Sequence, residues 1–288
     1  ARPGAAEPEQ GWPWVVHHKP RSHAPQLVSL HSPLGVVVMA ADKRPNPPSV
    51  VELDGAFTHR MLHTRGIRLH AADAGQERDP LIVLIHGAFG GWFDFKDAIA
   101  PLANHGFHVA AVDLRGFGMS DKPASRPGST LRIQAGDIAH VIRALGHTSA
   151  ALVGADTGAV IARSVQQHYP DLVTATIELP TSRGISAAAL RLPAPITRLS
   201  DRALDAAWRA NLQADTTAAF HTTERFEEFL TLRLAARRID HALPNIVAVS
   251  RLRPRLRPVG APWDGSRLPH VEDPKGFARR VATQLLPN

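Results

Sequence analysis

The chain has 288 residues, 44% of them hydrophobic, and a formal charge of +7, enough for one large or two modest domains with a real core. It has no Cys, which excludes disulfides, thiol chemistry and Cys-zinc sites, and its 16 His never take the His-Glu-x-x-His spacing of a zinc protease helix. No apolar run approaches the ~20 residues that span a bilayer and no signal-like segment opens the chain, so no metal, no stable membrane insertion and a cytoplasmic location are expected. The positive charge is read as a solvated basic surface and not as a nucleic-acid face.

Residues 1–48 carry Pro and His throughout, and Leu34–Val38 is their only apolar run. They read as a disordered or non-native extension, with Met39 as a plausible native start. From Val50 the pattern changes. Val50–Leu53 and Arg60–His63 read as short strands, and Ile67–Ala71 alternates like a half-exposed strand after a turn at Gly66. Leu81–Ile85 is a continuous apolar run, as in a strand covered on both faces. His86-Gly-Ala-Phe-Gly-Gly91 follows, then a helix from Trp92 to Asn104. His108–Asp113 is the next buried strand, and Leu114–Asp121 is a glycine-rich loop. A helix runs from Thr130 to Leu145, with Gly146 at its end. Another strand spans Thr174 to Leu179. This alternation predicts an α/β fold with a mostly parallel sheet and helices on both faces. Pro180 to Ser250 is rich in Ala, Leu and Arg and reads as helices, clearest over Asp201–Leu212 and Thr223–Arg238. Lys275–Leu286 is a final amphipathic helix.

Ala150-Ala-Leu-Val-Gly-Ala-Asp-Thr-Gly158 organises the rest. Ala150–Val153 read as a buried strand, Gly154 permits a sharp turn, Asp156 sits at the apex, and Gly158 leaves room for a helix over Ala159–His168. Small-x-acid-x-small between strand and helix is the pattern of a nucleophile elbow, a turn that lifts one side chain clear of the sheet. The helix N-terminus behind it favours negative charge. An Asp at the apex suits attack on an sp3 carbon and a covalent alkyl-enzyme ester. An N-cap Asp in an ordinary βα turn would look the same over this stretch.

Three motifs in order carry a resemblance: His86-Gly87 after one strand, Asp113-Leu-Arg-Gly-Phe-Gly-Met-Ser120 after the next, and Gly154-Ala-Asp-Thr-Gly158 after the third. The chain resembles the α/β-hydrolase fold, and within it the Asp-nucleophile branch of epoxide hydrolases and haloalkane dehalogenases. The resemblance implies an extension over 1–48, a hydrolase core over 49–180, a helical cap over 181–250 and a C-terminal part of the core over 251–288. It implies Asp156 as nucleophile and His270, just before the last helix, as the base that activates water. Backbone N–H groups of Thr157 and of Ala88 or Phe89 would form the oxyanion hole, with His86, Gly87, Gly154 and Gly158 in support. A small hydrophobic molecule would be the substrate, an epoxide before a haloalkane, with no cofactor.

The chain departs from that pattern in three places. Tyr169 is its one Tyr, at the end of the elbow helix, so the cap tyrosines that protonate the leaving oxygen of an epoxide in this family have no counterpart; His221, His241 or a Thr could stand in. Thr157 occupies the position where the dehalogenases place a halide-holding Trp. The stretch from Arg251 to Pro269 is too short for the usual strand, helix and strand before the catalytic His, given rises of ~3.3 Å and ~1.5 Å per residue. The last strands are therefore expected to be missing. The acid that orients His270 is then expected to be Glu178, at the end of the strand after the elbow helix, and not Asp264. The same loss makes a catalytically impaired binding protein the competing expectation.

Overall fold

Thr58–Thr64 and Ile67–Ala74 form strands β1 and β2, an antiparallel hairpin turned by Arg65 at φ 41° and Gly66 at φ 80°. Two successive positive φ values give a turn whose twist matches that of the flanking strands. The four parallel strands are β3 (Leu81–Ile85), β4 (His108–Val112), β5 (Ala150–Gly154) and β6 (Val173–Glu178). Every residue of β3, β4 and β5 is buried, as their unbroken apolar runs require. The computed structural model describes residues 44–124, 130–179, 201–252 and 266–286, all within the unit Arg44–Asn288.

The sheet order is β1-β2-β4-β3-β5-β6, with β1–β2 and β2–β4 antiparallel and β4–β3, β3–β5 and β5–β6 parallel. The helices between these strands are α1 (Lys96–Ala103), α2 (Thr130–Ala144) and α3 (Thr157–His168). From β3 the chain steps through α1 to β4 on one side, then through α2 to β5 on the other, and on through α3 to β6. Right-handed crossovers put α1 on one face of the sheet and α2 and α3 on the opposite face. The direction of winding reverses between β3 and β5. The crevice outside the carboxyl ends of such a strand pair is where open α/β sheets bind ligands. His86–Ala88 leaves β3 and Asp156 leaves β5 at this point.

Four more helices complete the described chain: α4 (Asp201–Asp215), α5 (Glu224–Arg237), α6 (Ala242–Ser250) and α8 (Pro274–Leu285), with a single turn, α7 (Pro269–Glu272), before the last. Thr223 caps α5 by accepting from Phe226 N–H, and Asp273 caps α8 by accepting from Gly276 N–H. The helix α8 and the turn α7 pack on α1, so they cover the α1 face.

Several expectations need correction. Val50–Leu53 is not a strand. Pro48–Val51 is one 3-10 turn, because Pro47 and Pro48 have no N–H for a ladder. The indole Nε1–H of Trp92 holds it by donating to Val51 O at 3.0 Å. Residues 44–48, counted with the N-terminal extension on sequence, are mostly exposed but anchored at Asn46, whose N–H donates to Arg238 O at 2.8 Å and whose amide donates to Ala235 O at 3.0 Å. Strand β2 is mostly buried and not half-exposed, since β4 flanks it and α1 covers it. The helix expected from Trp92 begins as a 3-10 turn over Trp92–Phe95. Among the described residues no strand follows Glu178. Residues 1–43 and Asp264 lie outside the described residues.

Candidate active site

Asp156 holds φ 49° and ψ −118°, a conformation that costs an L-residue on the order of 1–3 kcal/mol. Its surroundings enforce it. Ala155 N–H donates to Ile85 O at 2.9 Å, which keeps the elbow on the end of β3. A Cβ at Gly158 would stand 2.2 Å from Ile85 O, so only Gly lets α3 begin this close to the sheet. A Cβ at Gly87 would meet the Asp156 Cβ at 2.9 Å, so the loop after β3 can lie against the elbow side chain only with Gly there. Gly154 pairs with Ile85 and Glu178 at the carboxyl edge of the sheet.

Asp156 as a residue is half-buried, with its carboxyl turned inward, where it accepts hydrogen bonds from the backbone N–H groups of Thr157 and Ala88. Burial and the nearby charge of Asp215 push it up to about 7, against those two N–H groups and the Arg233 charge, which pull the other way. Phe89 contributes its ring, not a hydrogen bond to Asp156. It packs edge-on against Trp208 of α4, with centroids 4.9 Å apart. The Thr157 hydroxyl is buried with no hydrogen-bond partner.

His86 fixes the loop. Its Nδ1 donates to Gly87 O at 2.7 Å and its Nε2 accepts from Leu114 N–H at 3.1 Å. Burial holds it below its ordinary pKa, so this neutral tautomer persists. Asp113 ties the two loops together by accepting from Trp92 N–H at 3.1 Å and Met119 N–H at 2.9 Å. Asp121 accepts from Arg68 N–H at 2.8 Å. Both acids are thus loop organisers.

His270 lies in α7, fully buried, and stacks on Phe95 with centroids 4.2 Å apart. Among the described residues neither ring nitrogen has a hydrogen-bond partner. Burial first, and then the Arg233 charge, pushes its pKa down to about 3, so the imidazole is neutral. Arg233 is thus within electrostatic reach of both Asp156 and His270.

Glu178 is not the partner of His270, and the expectation is corrected here. Its carboxylate accepts two hydrogen bonds from Arg163 of α3, Nε to Oε1 at 3.0 Å and Nη2 to Oε2 at 2.5 Å. The end of β6 does reach the same sheet edge as Asp156, but the side chain turns to the α3 face. His270 belongs to α7, on the α1 face, and the sheet stands between them.

Sequence reading missed a buried polar chain above the elbow. Asp94, in the turn before α1, pairs with Arg233 of α5 through two bonds, 3.1 and 2.9 Å. Arg233 also donates to Asn211 Oδ1 at 3.4 Å, and the Asn211 amide donates to Asp215 Oδ2 at 3.3 Å. Tyr169 is remote from this chain, its hydroxyl beside Gly136. His221 bonds to Gln213 O at 3.1 Å and the His241 side chain is 75% exposed.

An acid on a strained strand-to-helix elbow, faced by two backbone donors at the reversal of a parallel sheet, defines an α/β-hydrolase-type site. The family model described as alpha/beta hydrolase fold matches residues 80–247, and the chain belongs to that family. Among curated relatives, epoxide hydrolase 4 of Mus musculus is 30% identical over 161 residues, 54% of this chain and 45% of its own length. Epoxide hydrolase B of Mycobacterium tuberculosis is 36% identical over 115 residues, 39% of this chain and 32% of its own. The chain thus spans less than half the length of these relatives. Two solved structures share the fold: Cfl2 of Burkholderia cenocepacia, with TM-score 0.68 and 18% identity over 80% of this chain and 96% of that one, and epoxide hydrolase VrEH1 of Vigna radiata, with TM-score 0.57 and 21% identity over 68% and 71%. No described helix is long and apolar enough to cross a membrane.

Proposed function

We propose that this chain is an epoxide-hydrolase-like enzyme that opens a small hydrophobic epoxide with the Asp156 carboxylate. The attack forms an ester between Asp156 and the substrate carbon. Water activated by His270 then attacks the ester carbonyl, and the tetrahedral oxyanion is held by the N–H groups of Thr157 and Ala88. The observation that carries this reading is the strained Asp156 backbone with both N–H donors on its carboxyl. The His270 imidazole is neutral and so has a lone pair to accept the proton, although its lowered pKa makes it a weak base. Phe89 and Trp208 suit a hydrophobic substrate.

A second reading has its own support. Among the described residues His270 has no carboxylate hydrogen-bonded to it, so the hydrolytic half-reaction is the weaker one, and a chain that forms the ester without turnover is the alternative. Intact mass spectrometry after exposure to styrene oxide separates these. Repeated turnover with ester accumulating only in His270→Gln supports the enzyme. A single stable adduct on the wild-type chain supports the alternative, and the absence of any Asp156 adduct in both proteins rejects the nucleophile.

A further inference from the structure

We infer that His59 of β1 and His70 of β2 share one extra proton, held against Asp113, and that this proton latches the β1–β2 hairpin to the loops that follow β3 and β4. The latch is independent of what Asp156 attacks.

A count of protons along the contacts carries this. His70 Nδ1 lies 2.9 Å from Asp113 Oδ2. That carboxylate already accepts from the Trp92 and Met119 N–H groups, so His70 Nδ1 is the donor. At the other end His59 Nε2 lies 2.8 Å from Leu53 O. A carbonyl oxygen only accepts, so His59 Nε2 is the donor there. The two nitrogens left over, His59 Nδ1 and His70 Nε2, face each other at 2.8 Å. In two neutral imidazoles both would be bare acceptors, and two lone pairs this close repel. One proton between them turns the contact into an N–H···N bond. The trio thus holds three protons, where a carboxylate and two neutral imidazoles hold two. Moving a proton onto Asp113 changes its place and not the count. The net charge is zero, which suits His70 and Asp113, both fully buried.

A second chain on the same sheet shows the contrast. His108 Nε2 donates to Asp73 Oδ2 at 3.0 Å, and His108 Nδ1 lies 2.8 Å from His147 Nε2. His147 Nδ1 meets no acceptor among the described residues, so two neutral rings, each donating from Nε2, satisfy every contact. Burial holds His147 below its ordinary pKa, in keeping with a neutral ring. The first chain closes on the frame of the site. Trp92, bonded to Asp113 through its N–H, has its indole edge-on to both rings, with centroids 5.0 Å from His59 and 5.6 Å from His70. Loss of the shared proton, through half-buried His59 to solvent, frees His59 from either His70 or Leu53. His86 after β3 and Lys122 after the glycine-rich loop act on the trio through Asp113. Arg60 on β1, Arg68 on β2, Lys96 on α1 and Asp94 before it are paired with Asp73, Asp121, Asp97 and Arg233. Glu52 and Asp54, on either side of Leu53, are exposed.

The test follows the folding equilibrium of the full chain by urea unfolding from about pH 7.5 to 9, where most imidazoles of an unfolded chain are neutral. The folded chain then holds a proton that the unfolded chain lacks, so its stability is lost as pH rises. In His59→Asn the amide N–H takes the place of Nδ1 and donates to His70 Nε2 with no shared proton. The wild-type folding constant is expected to fall relative to this variant by up to about tenfold per pH unit, while His147→Gln runs parallel to wild type. Parallel curves for wild type and His59→Asn overturn the inference. So does a His147→Gln curve that departs from wild type as His59→Asn does, because the slope then does not belong to the shared proton. Nitrogen-15 spectra of the wild-type imidazoles at about pH 8 decide without a variant. Shifts midway between protonated and bare nitrogen at His59 Nδ1 and His70 Nε2 support the shared proton, and two bare-nitrogen shifts overturn it.

Discussion

Arg233 and Asp94 lie 139 residues apart in sequence and meet through two hydrogen bonds, with each side chain only 3% exposed. This pair joins α5 to the turn that follows the Ala88 loop, and the Arg233 charge acts on both Asp156 and His270. Gly90 is part of the arrangement, since a Cβ there would collide with Asp94 Oδ2 at 1.7 Å.

Removing one partner strands the other charge in the interior. Arg233→Met is therefore expected to cost about 3–5 kcal/mol of stability, read from denaturant unfolding. It also removes a cation that holds Asp156 down and His270 down. A loss below about 1 kcal/mol would contradict the buried-pair account.

The elbow stores backbone strain that folding does not need. Asp156→Gly places at φ 49°, ψ −118° the one residue free of the Cβ penalty, and it removes a desolvated carboxyl. The variant is expected to form no ester and to melt at a higher temperature than wild type, by an amount that reflects about 1–3 kcal/mol. A lower melting temperature would mean that the elbow is not strained.

Two titrations of opposite sign act on stability. Asp156 moves from 3.8 to about 7 on folding, so between these values the folded chain holds a proton that the unfolded chain has released. Stability then falls as pH rises through that window. His270 moves from 6.5 to about 3, so the unfolded chain holds the extra proton and stability rises with pH between those values. The slopes oppose one another where the windows overlap. Relative to wild type, His270→Gln is expected to make stability fall more steeply from pH 4 to 6.5, and Asp156→Asn to make it rise more steeply. Chemical melts across that range read both signs.

Glu178→Gln separates a structural acid from a catalytic one. The Arg163 pair is partly buried, so its loss is expected to cost about 1–2 kcal/mol. Hydrolysis of the Asp156 ester should proceed at the wild-type rate. A slowing of ester hydrolysis beyond tenfold with the fold intact would restore Glu178 to the mechanism.

The strands and the elbow were legible in the sequence because their causes are local. The unbroken apolar runs at Leu81–Ile85 and Ala150–Val153 identify strands covered on both faces, and Gly154, Asp156 and Gly158 mark a turn that tolerates only small neighbours. The end of β6 at the elbow's edge followed from crossover handedness. The face to which Glu178 turns did not, because it depends on a partner in α3 and on the sheet lying between α3 and α7. Asp94 and Arg233 were illegible for the same reason, since nothing local marks a pair closed over so long a separation.

The contact between Phe89 and Trp208 makes the molecule its own optical gauge. The indole of Trp208 is 1% exposed, edge-on to Phe89 and 5.5 Å from the Arg237 guanidinium. Phe89 follows the residue whose N–H faces Asp156, so a substrate settling beside that loop alters the surroundings of this indole. Its emission wavelength and quenching therefore register movement of α4 against the loop in real time, with no label attached and with Trp208→Phe as the blank.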